Sequence, residues 1–240
     1  MKTLCTLTLA LLSILTLNGQ TCCSSGIPIA SNLGLQPQGE KILQTSVALE
    51  YNKLSNLYNE SEILDDQRRL RETISLLARL NYGITPRLNI EFLLPYVSQS
   101  RQVQLNNGSV ETEGSRGLGD ITLISQVTVI NNQFSIFTIA GGLKFPTGAN
   151  DHRNSNGLLL INDLQTGSNT YDYIGRISAV RNITLRPSMS LFLNSTAIFR
   201  GVNNNYLGTE TYKFGNEIQL VTGYSDQIFL WKTLAYPTLS

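Results

Sequence analysis

Few residues in this chain could carry out covalent chemistry. His152 is the single histidine, and it lies in a polar stretch between Asp151 and Arg153. Both general acid–base catalysis and metal binding need partner side chains at suitable spacing. The sequence offers none around His152, and no serine lies in a nucleophile-elbow motif. We therefore predict no catalytic residue, no cofactor and no metal, and a protein that is not an enzyme.

A second group of residues points to binding or passage of solutes. Charged residues recur on the polar side of stretches that alternate apolar and polar residues: Glu50, Arg79, Glu91, Lys144, Arg176, Arg200 and Glu217. If these stretches form the wall of a tube, the charges line its lumen, where an unpaired charge is costly unless it is hydrated. Two interpretations stay open. The charges form salt bridges that fill a narrow barrel, or they line a pore and select solutes.

The elements that must position these residues are predicted to be β-strands. In residues 121–129, apolar side chains alternate with Thr122, Gln126 and Thr128. A period of two is typical of a strand whose two faces meet different surroundings. The same pattern predicts nine strands in all, at 42–52, 71–82, 87–98, 121–129, 133–145, 171–181, 188–200, 212–224 and from 228 onward.

The links between the predicted strands are long and short in strict alternation. Bacterial outer-membrane barrels have short periplasmic turns and long external loops, whereas a soluble sandwich has no reason to sort its loops in this way. We therefore predict an all-β, antiparallel, up-and-down transmembrane barrel. A secreted lipocalin-like carrier is a weaker alternative, since that fold has apolar residues inside and polar residues outside.

Composition agrees with a wall between lipid and water. Charged residues make up 15% of the chain and the net charge is +1. A lipid-facing wall carries few charges, and the absence of a basic patch argues against a nucleic-acid partner. The predicted partners are outer-membrane lipid and a small-molecule solute, and the pattern indicates no oligomeric state.

The N-terminus resembles an export signal. A short basic start precedes the apolar run 4–17, which is too short for an ordinary spanning helix. We predict a signal peptide at 1–19, an N-terminal periplasmic or plug segment at 20–41 and the barrel at 42–240; a retained anchor helix is the alternative for the first segment. Cys22 and Cys23 are adjacent and can pair with each other, pair elsewhere or stay free.

The strand count predicts that the barrel is incomplete at its C-terminus. Single-chain bacterial barrels have even strand numbers, whereas nine are predicted here, and the last begins only shortly before Ser240. We expect ten to twelve strands in the complete barrel.

Three motifs resemble one family of outer-membrane proteins, named for the meta-pathway of phenol degradation. They are the Gly-Leu-Gly-Asp segment at 117–120, the Gly-x-Lys-x-Pro-Thr-Gly segment at 142–148 and a shortened Leu-Gln-x-Gly segment at 163–172. The leader at 22–26 is similar to that of Bacteroidetes-type members. The resemblance implies an outer-membrane barrel linked to transport of small, often aromatic or hydrophobic compounds, and it implies no catalytic residues.

The predicted function is therefore passage or binding of small hydrophobic or aromatic solutes across the bacterial outer membrane. The alternative is a structural or adhesive closed barrel that displays long external loops without transport. The apolar stretch Leu158–Ile161, in the longest predicted link, bears on this choice. It can cap the mouth of the barrel, contact a hydrophobic ligand or pack against the rim.

Overall fold

The computed structural model describes residues 39–54, 57–59, 62–64, 69–104, 108–184, 186–207, 209–226, 228–230, 233–235 and 238–239. These residues form an all-β structure with one short 3-10 helix at Asn162–Leu164. The strands are β1 Leu43–Leu54, β2 Leu57–Asn59, β3 Glu62–Leu64, β4 Arg69–Gly83, β5 Leu88–Gln104, β6 Val110–Leu118, β7 Thr122–Asn131, β8 Ser135–Lys144, β9 Asp172–Ile183, β10 Arg186–Phe199, β11 Asn203–Tyr206, β12 Glu210–Tyr212, β13 Glu217–Asp226, β14 Ile228–Leu230, β15 Thr233–Ala235 and β16 Thr238–Leu239.

The long strands follow one another in a meander. A ten-stranded antiparallel sheet has the order β1-β4-β5-β7-β8-β9-β10-β13-β16, with β6 paired to β5 beside this path. From β1 to β13 the links alternate long and short, as predicted: for example, 84–87 between β4 and β5, and 145–171 between β8 and β9. The link that follows β13, predicted to be a short turn, instead includes the β14–β15 hairpin before β16. The predicted antiparallel up-and-down fold is confirmed. The long links lie at one end of the strands, which we call the long-link end. The short turns lie at the opposite end, which we call the short-turn end.

The two faces of the sheet differ in the sense that a membrane barrel requires. Leu191 is 47% exposed on the outer face, whereas Gln126 and Asn194 are 5% and 7% exposed on the inner face. Strand β7 repeats this alternation of buried and exposed residues along most of its length. A soluble carrier with an apolar interior would show the opposite arrangement.

Three details differ from the predicted strands. Strand β6 lies in a region predicted as loop, because Val110–Leu118 has no apolar face, and it pairs with the extension of β5. The predicted strand at 212–224 is shorter as β13, since residues 210–212 belong to the β11–β12 hairpin. The predicted last strand is divided: β14 pairs with β15, and β16 pairs with β13.

The predicted signal peptide at 1–19 lies outside the described residues, as do Cys22, Cys23 and almost all of the predicted segment at 20–41. Among the described residues, no helix has the length and apolar character needed to cross a membrane.

Candidate functional site

The inner face of the curled sheet collects the charged residues singled out from the sequence. Arg79, Glu91, Lys144, Arg176 and Arg200 are all buried there. Glu50 and Glu217 are half-buried on the same face. All of them except Glu50, which lies on β1 opposite Ser75, belong to one of two groups at different heights along the strands.

The first group lies at the long-link end, and we call it the rim cluster. It consists of Asp120, Lys144, Asp172, Arg200 and Glu217, each within two residues of a strand end. Negative and positive groups alternate across five strands. Lys144 Nζ lies 3.2 Å from Asp120 and 2.6 Å from Asp172, and Arg200 lies 3.2 Å from Asp172 and 2.9 Å from Glu217.

Asp172 is the centre of the rim cluster. Its side chain is 0% exposed, so its charge is balanced by protein groups rather than by water. Besides the two cations, it accepts hydrogen bonds from the Gly201 amide at 2.9 Å and from the Thr170 hydroxyl at 3.0 Å. A buried carboxylate is tolerated when its oxygens are satisfied in this way.

The second group lies deeper in the interior, and we call Arg79, Glu91 and Arg176 the central cluster. Arg176 Nη1 donates to Glu91 Oε2 at 2.9 Å. Glu91 lies on β5 and Arg176 on β9, and β7 and β8 separate them in the sheet. The ion pair therefore crosses the interior, which requires the sheet to curl tightly. Glu91 is also a diagonal cross-strand neighbour of Arg79, which faces Leu93.

Aliphatic side chains from six neighbouring strands pack together on the same inner face. We call this group the aliphatic layer: Leu77, Leu93, Ile124, Ala140, Ile174 and Ile198, with Ala48 of β1 packed against it. Ile124 faces Glu91 in the register, and Ala140 faces Arg176. The interior is therefore amphipathic, with an apolar layer bordering the central cluster.

The link between β8 and β9, residues 145–171, folds into the long-link end, and we call it the mouth link. Leu160, Leu164, Gln165 and Ser168 are buried. Gln99 of β5 donates to the Gln165 carbonyl at 3.1 Å, Ser115 of β6 donates to the Leu164 carbonyl, and Arg71 of β4 donates to the Asp163 carbonyl at 2.6 Å. The mouth link is thus held by three strands other than the two it joins.

The rim cluster also holds the mouth link. Ser168 Oγ accepts from Lys144 Nζ at 2.8 Å and donates to Asp120 at 2.6 Å. The other oxygen of Asp120 accepts from the Gly148 amide at 2.9 Å. Charges on the wall and polar groups of the link therefore form one network.

Only part of the apolar stretch Leu158–Ile161 reaches the interior. Leu160 is 2% exposed, whereas Leu158 is 65% exposed. The buried half packs within the mouth, and the other half faces outward. His152 lies in the same link, where its Nε2 is 3.2 Å from Thr166 Oγ1 and its backbone amide donates to Gln165. Among the described residues, no group of His, Cys, Asp and Glu could hold a metal ion.

Two glycines let the two ends of the mouth link touch. A Cβ added to Gly167 would lie 2.2 Å from the Gly148 carbonyl oxygen and 2.4 Å from its carbonyl carbon. The backbone segments around these residues therefore pass each other closer than any side chain allows. Both glycines belong to the motifs at 142–148 and 163–172, but nothing in the sequence indicates that Gly167 lies against Gly148.

We expect Gly167→Ala to release the mouth link while the sheet stays folded. The backbone must separate to admit the methyl group, at a cost of about 1–3 kcal/mol. This shifts the closed–open balance of the link by roughly five- to 150-fold. Trypsin cleavage after Arg153, measured by mass spectrometry, should accelerate by about that factor because proteolysis follows the open population.

Gly175→Ala is the matched control, because a Cβ at Gly175 meets nothing within 4 Å. Its cleavage rate at Arg153 should equal that of the parent chain. Equal rates for both variants would contradict the proposed close packing of the mouth link.

Two members of the rim cluster, Asp120 and Asp172, are absent from the candidate lumen-lining charges named above, although the alternation in 171–181 predicts that Asp172 points inward. Asp120 precedes β7 and therefore has no place in the alternating pattern, although it ends the Gly-Leu-Gly-Asp motif. Asp172 has the correct parity to point inward as the first residue of β9. Its position in the alternation indicates that it points inward. Its contacts with Lys144 and Arg200, by contrast, depend on how the strands pair.

An antiparallel meander with an apolar outer face and a polar inner face is the architecture of outer-membrane barrels. A comparison with solved structures agrees with this class. The crystal structure of an outer-membrane channel from Pseudomonas putida F1 matches with a TM-score of 0.53 and 16% sequence identity, over 79% of this chain and 66% of that chain. At this identity the likeness shows the fold alone. This chain spans slightly less than two thirds of that channel's length.

Comparisons of the sequence itself add nothing to this. No protein-family model matches the chain, and no curated protein matches it. The fold class therefore rests on the structure and its structural neighbour.

Proposed function

We propose that this chain is an outer-membrane barrel that mediates passage or binding of small hydrophobic or aromatic solutes. The observation that carries the proposal is the amphipathic interior, in which the aliphatic layer borders the central cluster. A lumen for hydrophilic solutes alone has no need of an apolar layer, whereas binding sites for organic molecules combine apolar lining with a few polar groups.

Two further observations support the proposal. The matching solved structure from Pseudomonas putida F1 is an outer-membrane channel, and the motifs at 117–120 and 142–148 resemble the phenol meta-pathway family, whose members are linked to such compounds. In this proposal the chain is exported by its signal peptide, is surrounded by outer-membrane lipid and carries out no catalytic step.

The second candidate function is a closed structural or adhesive barrel. The burial of the mouth link and the ion pair that crosses the interior favour it, because both fill space that a wide pore would need. The two candidates differ in whether solutes enter.

The test is reconstitution of the full chain in liposomes, with solute flux followed by swelling and ion flux by conductance. We expect entry of small aromatic solutes such as phenol in excess of protein-free liposomes, measured by radiolabel uptake. Absence of both flux and solute binding in the parent chain would refute the proposal and favour the closed barrel.

A further inference from the structure

The central cluster carries more positive than negative charge. Arg79 and Arg176 flank one carboxylate, Glu91, and the charges of Glu91 and Arg176 both act on Arg79. Arg176 therefore pairs directly with Glu91, and Arg79 lies diagonally across from the same carboxylate on the neighbouring strand.

Arg176 also presents hydrogen-bond donors that no described residue satisfies. Its Nη1 binds Glu91, whereas its Nε and Nη2 have no partner among the described residues, although the side chain is 3% exposed. Nε and Nη2 form one edge of the guanidinium group, and such an edge matches the two oxygens of a carboxylate. Leaving buried donors unsatisfied costs roughly 1–3 kcal/mol each.

A second unsatisfied group lies in the same cross-strand row as Arg176. The register joins Asn89 to Gln126, Gln126 to Ala140 and Ala140 to Arg176. Asn89 is 0% exposed, and neither its Oδ1 nor its Nδ2 has a partner among the described residues. Its amide therefore offers one donor and one acceptor on the same inner face as the guanidinium edge.

The surroundings of these donors are apolar on one side. Ala140 separates Gln126 from Arg176 in that row, and Ile124 faces Glu91. Both belong to the aliphatic layer. A ligand whose charged group reaches Arg176 would therefore lay its remaining atoms against aliphatic side chains.

From this arrangement we infer that the interior binds an organic carboxylate with an apolar tail or ring, such as a fatty or aromatic acid. The carboxylate binds the Nε–Nη2 edge of Arg176 with help from Arg79 and the Asn89 amide, and the tail lies along the aliphatic layer. The inference rests on the proposed function and narrows its solute to an amphipathic anion.

The test uses the full chain in lipid nanodiscs and the fluorescent fatty acid 11-(dansylamino)undecanoate as the bound probe, with empty nanodiscs subtracted. Three unlabelled compounds compete with the probe. Decanoate has both the carboxylate and the apolar tail, 1-decanol has the tail without a carboxylate, and acetate has the carboxylate without a tail. We expect decanoate to displace the probe at least about tenfold more effectively than decanol, since a hydrogen bond to a charged group contributes roughly 1.5–3 kcal/mol. Acetate should displace it only weakly.

The variant Arg79→Gln keeps the pair between Glu91 and Arg176 and removes one cation. It should weaken displacement by decanoate about tenfold and leave displacement by decanol unchanged, whereas Arg79→Lys should retain most of the affinity. Arg181→Gln is the matched control, because Arg181 lies on the same strand as Arg176 but is exposed. Heat-modifiable migration in gels verifies that each variant is folded.

The head-group comparison on the parent chain needs no variant. Equal displacement by decanoate and decanol would overturn the carboxylate site while leaving the proposed passage of hydrophobic solutes intact. Failure of both to displace the probe, together with absence of flux in liposomes, would overturn both.

Discussion

Replacing Asp172 by Asn should lower the free energy of unfolding by about 3–5 kcal/mol, the range typical of breaking a buried ion pair. Every group that contacts the Asp172 carboxylate is a donor: Lys144, Arg200, the Gly201 amide and the Thr170 hydroxyl. The amide of Asn has one donor end, which must face some of these donors in either orientation. The size of the side chain is preserved, so the loss reports on charge and hydrogen bonding.

The measurement is guanidinium chloride unfolding of the chain in lipid vesicles, followed by intrinsic fluorescence. Asp151→Asn is the control, because Asp151 is an exposed acid of the mouth link and should change stability by no more than about 0.5 kcal/mol. A change of less than about 1 kcal/mol for Asp172→Asn would mean that the rim cluster contributes little to the fold.

The Asp172→Asn substitution should also weaken the attachment of the mouth link to the wall. Lys144 binds Asp172 and Ser168, and Ser168 binds Asp120. Disturbing Lys144 therefore weakens two attachments of the link to the wall. Trypsin cleavage after Arg153 should accelerate in Asp172→Asn as well, before the sheet unfolds.

The strands and their two faces could be predicted because their signal is local. Residues 121–129 alternate by their own composition, and the structure places β7 at Thr122–Asn131. The side of each residue follows from parity alone, so Arg79, Glu91 and Arg176 could be placed on the inner face without any knowledge of the neighbouring strands.

Strand β6 could not be predicted by the same rule. Residues Val110–Leu118 are polar on both faces, and the strand exists because it pairs with the end of β5, from Tyr96 to Gln104. Hydrophobic periodicity detects a strand only where one face leaves water. A polar hairpin beyond the apolar part of the wall gives no such signal.

The pairing of the charges was also beyond local pattern. Lys144 and Arg200 were predicted to face inward, yet their shared partner Asp172 is 28 residues from each of them. Glu91 and Arg176 are separated by two intervening strands. Such contacts depend on the register and on the curl of the sheet. Neither can be predicted from the alternation of apolar and polar residues in one strand.

The same limit applies to the mouth link. Its apolar stretch drew attention to Leu158–Ile161, but the contacts that hold it involve backbone carbonyls and the small or polar residues Gly148, Gly167 and Ser168. Contacts made by the backbone do not depend on side-chain hydropathy, so a hydropathy pattern does not predict them.

Replacing Glu91 by Gln should have the second large effect, again a loss of about 3–5 kcal/mol in the free energy of unfolding. Glu91 accepts a hydrogen bond from Arg176 at 2.9 Å and lies diagonally across from Arg79, so its loss leaves the buried Arg176 guanidinium without its carboxylate. Arg176→Gln should cost less, because Glu91 then keeps Arg79 as its counter-charge. This asymmetry between the two partners distinguishes a shared carboxylate from an isolated pair.

The double variant Glu91→Gln with Arg176→Gln completes a thermodynamic cycle. Because the two residues interact across the interior, the double variant should lose less than the sum of the single losses, by roughly 1–3 kcal/mol. The exposed pair of Lys53 and Glu72, 3.3 Å apart on the neighbouring strands β1 and β4, is the control cycle and should give a coupling of at most about 1 kcal/mol. If the Glu91–Arg176 cycle gave no larger coupling than this exposed pair, the ion pair would not stabilise the curled sheet across the interior. The packing of the aliphatic layer alone would then account for the curl.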